Sequence, residues 1–531
     1  MTIGVAGVRL LLIALAAAPA APQTASFRVD TRVVEVPVVV RDRRSGAAVR
    51  GLTAADFVLL EAGKPQRIEF FSAHQSPIRQ ERSADGQADE RLATGIFSNR
   101  RYVGTEATPV VAVLIDGYNA RYEDQYYAAK AAMEVIERKE VAAQWGVYFL
   151  GRFGVRVLHD YSTDTESVVS RLRSLRAAGN SAEGLGAGPE SVAPSLSTEI
   201  ERKASNGAGQ AEEYRRLVTT LSAIRDIGRH LSALPGRKSL VWLTTGISLR
   251  AVVQVVPHLW HQTLDTLNDA NVAVYSIDSQ GVRTAAGFLA ETPTRDLQLR
   301  PGRGSPMGPT EVMGAISEST GGLSFINSNN LAKGVQEALA DSRTFYRLAY
   351  RATHGKWDGR QVALEVKVPG RRGVDVRYRR SYVARPLAPM AQPARDRLLA
   401  DAIVSPLEAV EVGITARLSP VEGSEESMLR LTLDPGSVTL SEEAGQYRGR
   451  FDVRCVQTSA ESKVLDDFTD EVNLNLKPAD AERTHGEGFN YQRKLRIRHE
   501  SRVLKIAFCD HVTGRLGTLR IELHGLNAIA R

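Results

Sequence analysis

The run Pro109 to Ile115 is seven consecutive apolar residues ending on Asp116, within VVAVLIDGYNA, and it constrains the chain more than any other segment. An unbroken apolar run of this length suits a strand covered on both faces, as in a parallel α/β sheet whose crossover helices lie on either side. Asp116 then falls at the carboxyl end of the strand, where open α/β sheets place their ligand crevice.

The rest of the chain repeats the pattern. Tyr122 to Lys139 set Tyr126, Ala129, Met133 and Ile136 on one helical face, and Leu217, Val218, Leu221, Ile224 and Leu231 do the same further on. WGVYFLG (Trp145 to Gly151), SLVWLTTG (Ser239 to Gly246) and NVAVYSID (Asn271 to Asp278) are further buried-strand runs. Strands alternating with helices at this spacing imply a doubly wound sheet, here over 99–343 with a Gly/Ala/Ser-rich mobile insertion at 177–209.

Before and after it the periodicity changes to two. Val34, Val36, Val38 and Val40 share a face within an N-terminal β-sandwich module at 27–75, followed by a polar linker at 76–98. Val362, Leu364, Val366 and Val368, then Val374, Val376 and Tyr378, alternate in a hairpin at 344–384 expected to pack on that module. A Pro-rich linker at 385–398 leads to a C-terminal β-sandwich at 399–531.

Residues 1–20 read as a signal peptide: Arg9, an apolar stretch Leu10 to Ala18, and the small-residue pattern Ala18-Pro19-Ala20. That stretch is too short for a transmembrane helix, which needs ~20 apolar residues, so an exported chain without a membrane span is expected. A net charge of +7 is spread over arginines scattered along the sequence, with no nucleic-acid motif, so DNA or RNA is not an expected partner. Cys455 and Cys509 are the two cysteines, and both readings stay open: one disulfide or a free buried pair.

No catalytic set assembles. His258 and His261 lack a third ligand at zinc spacing, Gly184-Leu185-Gly186-Ala187-Gly188 follows no strand, and no serine occupies a G-x-S-x-G elbow.

From 32 to 384 the chain resembles the exported bacterial von Willebrand factor A-related proteins. The match is carried in order by GLTAADFVLLEAGKPQRIEFF, FSNR (Phe97 to Arg100), LIDGYNARYEDQ, PGRKSLVWLTTG, VAVYSID, STGG (Ser319 to Gly322) and FYRLAYRATHGKWDGR. The resemblance implies a von Willebrand A fold with flanking Ig-like sandwich modules. It also implies a site where Asp-x-Ser-x-Ser, a threonine and a second aspartate hold Mg²⁺ for a partner's carboxylate.

In this sequence Asp116 matches the first position, but Tyr118 and Ala120 replace the serines and Thr245 replaces the later aspartate. A degenerate site of Asp116, Asn119 and Thr245 is the most that remains for a metal. The alternative for Asp116 is a structural carboxylate that caps the turn after its strand. The resulting expectation is an exported, non-enzymatic protein that binds a protein partner through Asp116, Gly117, Tyr118, Asn119 and Arg121 with Thr245 and Gly246, without a cofactor. A Mg²⁺-dependent adhesin, an envelope hydrolase and a structural envelope component are the alternatives.

Overall fold

The computed structural model describes residues 33–76, 95–100, 108–138, 142–177, 208–281, 310–386 and 388–523. The expected signal at 1–20, most of the insertion at 177–209 and the glycine run from Gly184 to Gly188 lie outside them.

Six strands form the central sheet, in the spatial order 324–325, 272–278, 238–244, 110–116, 144–151 and 154–162. All neighbours are parallel except the last pair, which is antiparallel. Every residue of Val110–Asp116, Lys238–Thr244 and Val272–Asp278 is buried. The cause is the helical cover: one face packs on Ala208–Leu231, Pro257–Asp269 and Thr310–Thr320, the other on Tyr122–Glu137, Thr165–Ala177 and Leu331–Arg343. The chain leaves Asp116 towards the second face, into Tyr122–Glu137, and leaves Thr244 towards the first, into Pro257–Asp269. The lips of these two neighbouring strands therefore diverge, which is the switch point that opens a crevice in such sheets.

The chain on either side of this domain closes into one body. Strand Val33–Asp42 lies between Thr344–Arg351 and Val374–Arg377, and Val58–Glu61 pairs with Gln361–Lys367. The two resulting four-stranded sheets share an apolar core that includes Val36, Val38, Leu59, Tyr346, Leu348, Leu364 and Val366. Alternation at period two places these residues on one face of their strands.

The C-terminal region is also two sheets over a common core, containing Leu429, Leu431, Phe451, Val453, Ile506 and Phe508. Its boundaries differ from the sequence reading in two places. Ile96–Ser98, at the end of the expected linker, is a strand of this sheet, pairing with Ile414–Pro420. Asn99 follows it inside: its side chain donates to the carbonyls of Ala409 (3.3 Å) and Val412 (3.0 Å) and accepts from the Ile414 amide (2.8 Å). The expected linker at 385–398 contains the first half of a helix, Gln392–Val404, which Pro393 starts in its first turn. That helix buries Leu398, Leu399 and Ala402.

The disulfide reading is corrected. Cys455 and Cys509 are both free and buried. They sit on neighbouring strands, with Cys455 opposite Ile506 and Cys509 opposite Asp452, but on opposite faces of the sheet: Cys455 belongs to the sandwich core and Cys509 to the layer under helix Gln392–Val404. Side chains that alternate across a sheet cannot meet through it.

Candidate functional site

Asp116 ends its strand with no solvent exposure. Burial alone pushes its carboxyl pKa up, and hydrogen bonds from Asn119, Thr244 and Trp242 pull against that rise without cancelling it. Four donor groups converge on the two oxygens. Oδ1 accepts from the Asn119 amide (2.9 Å) and the Asn119 side chain (3.1 Å). Oδ2 accepts from the same Asn119 Nδ2 (2.9 Å), from Trp242 Nε1 (3.2 Å) and from Thr244 Oγ1 (2.7 Å).

The surrounding loop is stapled in turn. Asn119 Nδ2 also reaches Thr220 Oγ1 at 2.9 Å, and Thr245 Oγ1 donates to the Asn119 carbonyl at 2.7 Å. Gly246 N donates to Thr244 Oγ1 at 3.0 Å, and Gln125 Nε2 donates to the carbonyls of Gly117 (3.3 Å) and Ala120 (2.9 Å). Gly117 is needed for closeness: a Cβ there would lie 2.2 Å from the Phe149 ring. Tyr118 crosses to helix Ala208–Leu231, donating its hydroxyl to Glu212 Oε1 at 2.8 Å, and Arg216 lies over its ring. Burial and then Glu212 push that phenol up to about 12.

These contacts decide how the residues fit a magnesium ion. A hard cation needs carboxylate and hydroxyl oxygens with free lone pairs facing one point. Asp116 has given its oxygens to four donors, the Thr244 oxygen is taken by the Gly246 amide, and the Tyr118 hydroxyl points to a helix; Thr245 Oγ1 keeps its lone pairs but has no free carboxylate oxygen beside it. Ala120 has no ligand atom. The side chains do not fit the ion, and the group works as a clasp that ties the first strand's turn to the next strand and to helix Ala208–Leu231.

Of the residues singled out in sequence, Asp116, Asn119 and Thr245 are brought together in this clasp, and Tyr118 stands beside it. Arg121 does not join it; it is exposed at the start of helix Tyr122–Glu137 and its side chain makes no capping bond. Asp278 turns its Oδ1 to the Gln280 amide at 3.1 Å, a turn former. His258 and His261 stay on their own helix, His261 with the Pro257 carbonyl (2.8 Å) and His258 with Gln262 (3.1 Å).

Trp242 and Thr244 were not legible as partners of Asp116, nor Thr220 as the partner of Asn119. Nor was the turn Arg152-Phe153, both exposed, which follows the strand whose Leu150 stands opposite Asp116.

The fold and this clasp together define a doubly wound α/β domain set between two β-sheet bodies. No protein-family model matches the chain, and no curated protein matches it. Among solved structures, one described as an aerotolerance-related membrane protein from Bacteroides fragilis, with multiple mutations to serines, is 14% identical. The match covers 44% of this chain and 98% of that one at a TM-score of 0.26, a likeness that carries no argument. Among the described residues no helix is long and apolar enough to cross a membrane.

Proposed function

We propose that this chain is an exported, non-enzymatic interaction protein of the von Willebrand A-related kind, and that it grips a protein partner with the loops at the carboxyl ends of its central sheet, without a metal. The reading rests on one observation: the carboxylate at the switch point is consumed internally, while the rim around it is left with exposed Arg121, Tyr122, Phe153 and Arg250. Arginine and aromatic side chains of this kind dominate the energetics of protein contacts, because they combine large contact area with directed hydrogen bonding.

The test is capture from an envelope extract, with and without chelator, by the full chain and by an Arg121→Glu, Phe153→Ser double variant. A partner retained in chelator and lost by the variant is expected. A partner released by chelator, or held equally by the variant, contradicts the reading.

A further inference from the structure

Between helices Tyr122–Glu137 and Leu331–Arg343, just past the end of strand Val272–Asp278, the central domain holds a cavity of about 380 Å³. That is the size of a small-molecule site. Ala273, Tyr275 and Ile277 pack on the sheet face that these two helices cover, and the Ser279 amide continues the ladder, donating to the Thr244 carbonyl at 2.9 Å. At period two the Ser279 side chain points to that same face, between the helices, while Asp278 points to the other. Gly281 brings the turn against the loop that precedes the second helix: its φ is +68°, and a Cβ there would lie 2.5 Å from Asn329 Oδ1.

Two observations mark the cavity as a place for a ligand. Ser279, on its inner wall, is 4% exposed, and its Oγ has no hydrogen-bond partner. Buried hydroxyls normally have one. Tyr127, on the outer wall, is 59% exposed, and its ring is held edge-on by Tyr126 with centroids 5.6 Å apart. It offers a fixed apolar face with a polar tip.

The remaining lining decides the class of ligand. Its charged side chains are one cation and one anion, Lys130 and Glu134, 4.0 Å apart on the same helix, so the wall has no net charge to neutralise an ion. Gln280 and Asn329 add amide groups, each with a donor and an acceptor side by side. An apolar ligand would cover these groups and Ser279 without replacing their bonds to water. A neutral molecule dense in hydroxyls donates and accepts at once, and its C–H face suits the Tyr127 ring.

We propose that this cavity binds a saccharide, as a free pyranose or as the end of a longer sugar chain. Its hydroxyls meet Ser279, Gln280 and Asn329, and its apolar face lies on Tyr127.

Calorimetry on the full chain tests this with glucose, galactose, mannose and N-acetylglucosamine, with cellobiose and chitobiose, and with acetate and phosphate as charged controls. Saturable binding of at least one sugar and of neither anion is expected, weakened about three- to tenfold in both Ser279→Ala and Tyr127→Ala, the range that one lost hydrogen bond or ring contact gives. Ser279→Ala removes no hydrogen bond of the fold and Tyr127 lies at the surface, so both variants keep the wild-type thermal unfolding. A disaccharide bound more tightly than its monosaccharide identifies a chain end and equal affinity a free sugar, and either supports the site. No saturable heat with any of these sugars, binding of acetate or phosphate alone, or wild-type sugar affinity in either variant overturns it.

Discussion

Asp116 and the Arg41–Arg343 pair lie at opposite ends of the central domain and meet burial in opposite ways. Helix Leu331–Arg343 starts beside Ser279 to Gly281, past the carboxyl end of a strand, and finishes near Ser239, at the beginning of another. At the first end a buried carboxylate has four donors on two oxygens; at the other, three buried guanidinium nitrogens have no acceptor. A buried charge is therefore not by itself a sign of a ligand. What makes the first end a structural clasp is that its hydrogen-bonding capacity has been used.

The sharpest way to break this contrast is Asp116→Ala. It strands the buried Trp242 and Thr244 donors and frees the part-buried Asn119 amide, so a loss of about 3 kcal/mol or more is expected in urea unfolding, each stranded group costing ~1–3 kcal/mol at most. A loss below about 1 kcal/mol would mean that the carboxylate is kept for something other than the fold. Next in size is Gly117→Ala, whose methyl group meets Phe149; overpacking of this sort costs roughly 1–3 kcal/mol, and the same assay reads it.

A third case is a buried imidazole with both ring nitrogens used. His230 Nδ1 contacts the Glu408 carbonyl (2.9 Å) and Nε2 contacts Asp160 (3.2 Å), both acceptors only, so the ring bridges them best when doubly protonated. Burial works against that charge, yet Asp160 and the Glu408 carbonyl outweigh it and raise the pKa above the ordinary value. A raised histidine stabilises fully below its unfolded pKa of about 6.5, and the contribution fades as pH rises through the higher folded value. Unfolding followed from pH 6 upward is expected to show this decline, and His230→Gln to flatten it at a cost of about 1.5 kcal/mol on the acid side. An unchanged pH profile in the variant would show that another group is responsible.

The smallest effect belongs to the arginine end. Arg343→Gln removes a guanidinium whose Nε and Nη2 have no acceptor, so stability changes by no more than about 1 kcal/mol, with a small gain favoured. A loss as large as that of Asp116→Ala would mean that the guanidinium is already fully paired.

Much of the central sheet could be read directly, because a strand buried on both faces leaves no polar interruption: Val110 to Ile115 are all at 0 or 1% exposure. The helical faces through Ala129, Met133 and Ile136, and through Leu217, Leu221 and Ile224, also show in the sequence, since a one-sided helix needs its 3.6-residue period.

The position of Asp116 at a strand end is local information. Its partners are not: Trp242 and Thr244 sit inside an apolar run whose pattern says only that it is buried, and Thr220, which holds Asn119, belongs to a helix. Ile96–Ser98 escaped for a related reason, because three residues carry almost no period and their partner strand lies some three hundred residues away in sequence. Arg41, one of the arginines that look scattered along the chain, is paired by topology with Asp341 across 300 positions. The cysteines needed the register of two strands before their faces could be told apart.

Titration calorimetry with Mg²⁺ and Mn²⁺ on the full chain, run beside Asp116→Ala, addresses the central claim that the switch-point carboxylate is a clasp. The account predicts no saturable binding at sub-millimolar concentration in either protein and a large stability loss confined to the variant. Saturable binding by the wild type that vanishes in a variant of unchanged stability would contradict it.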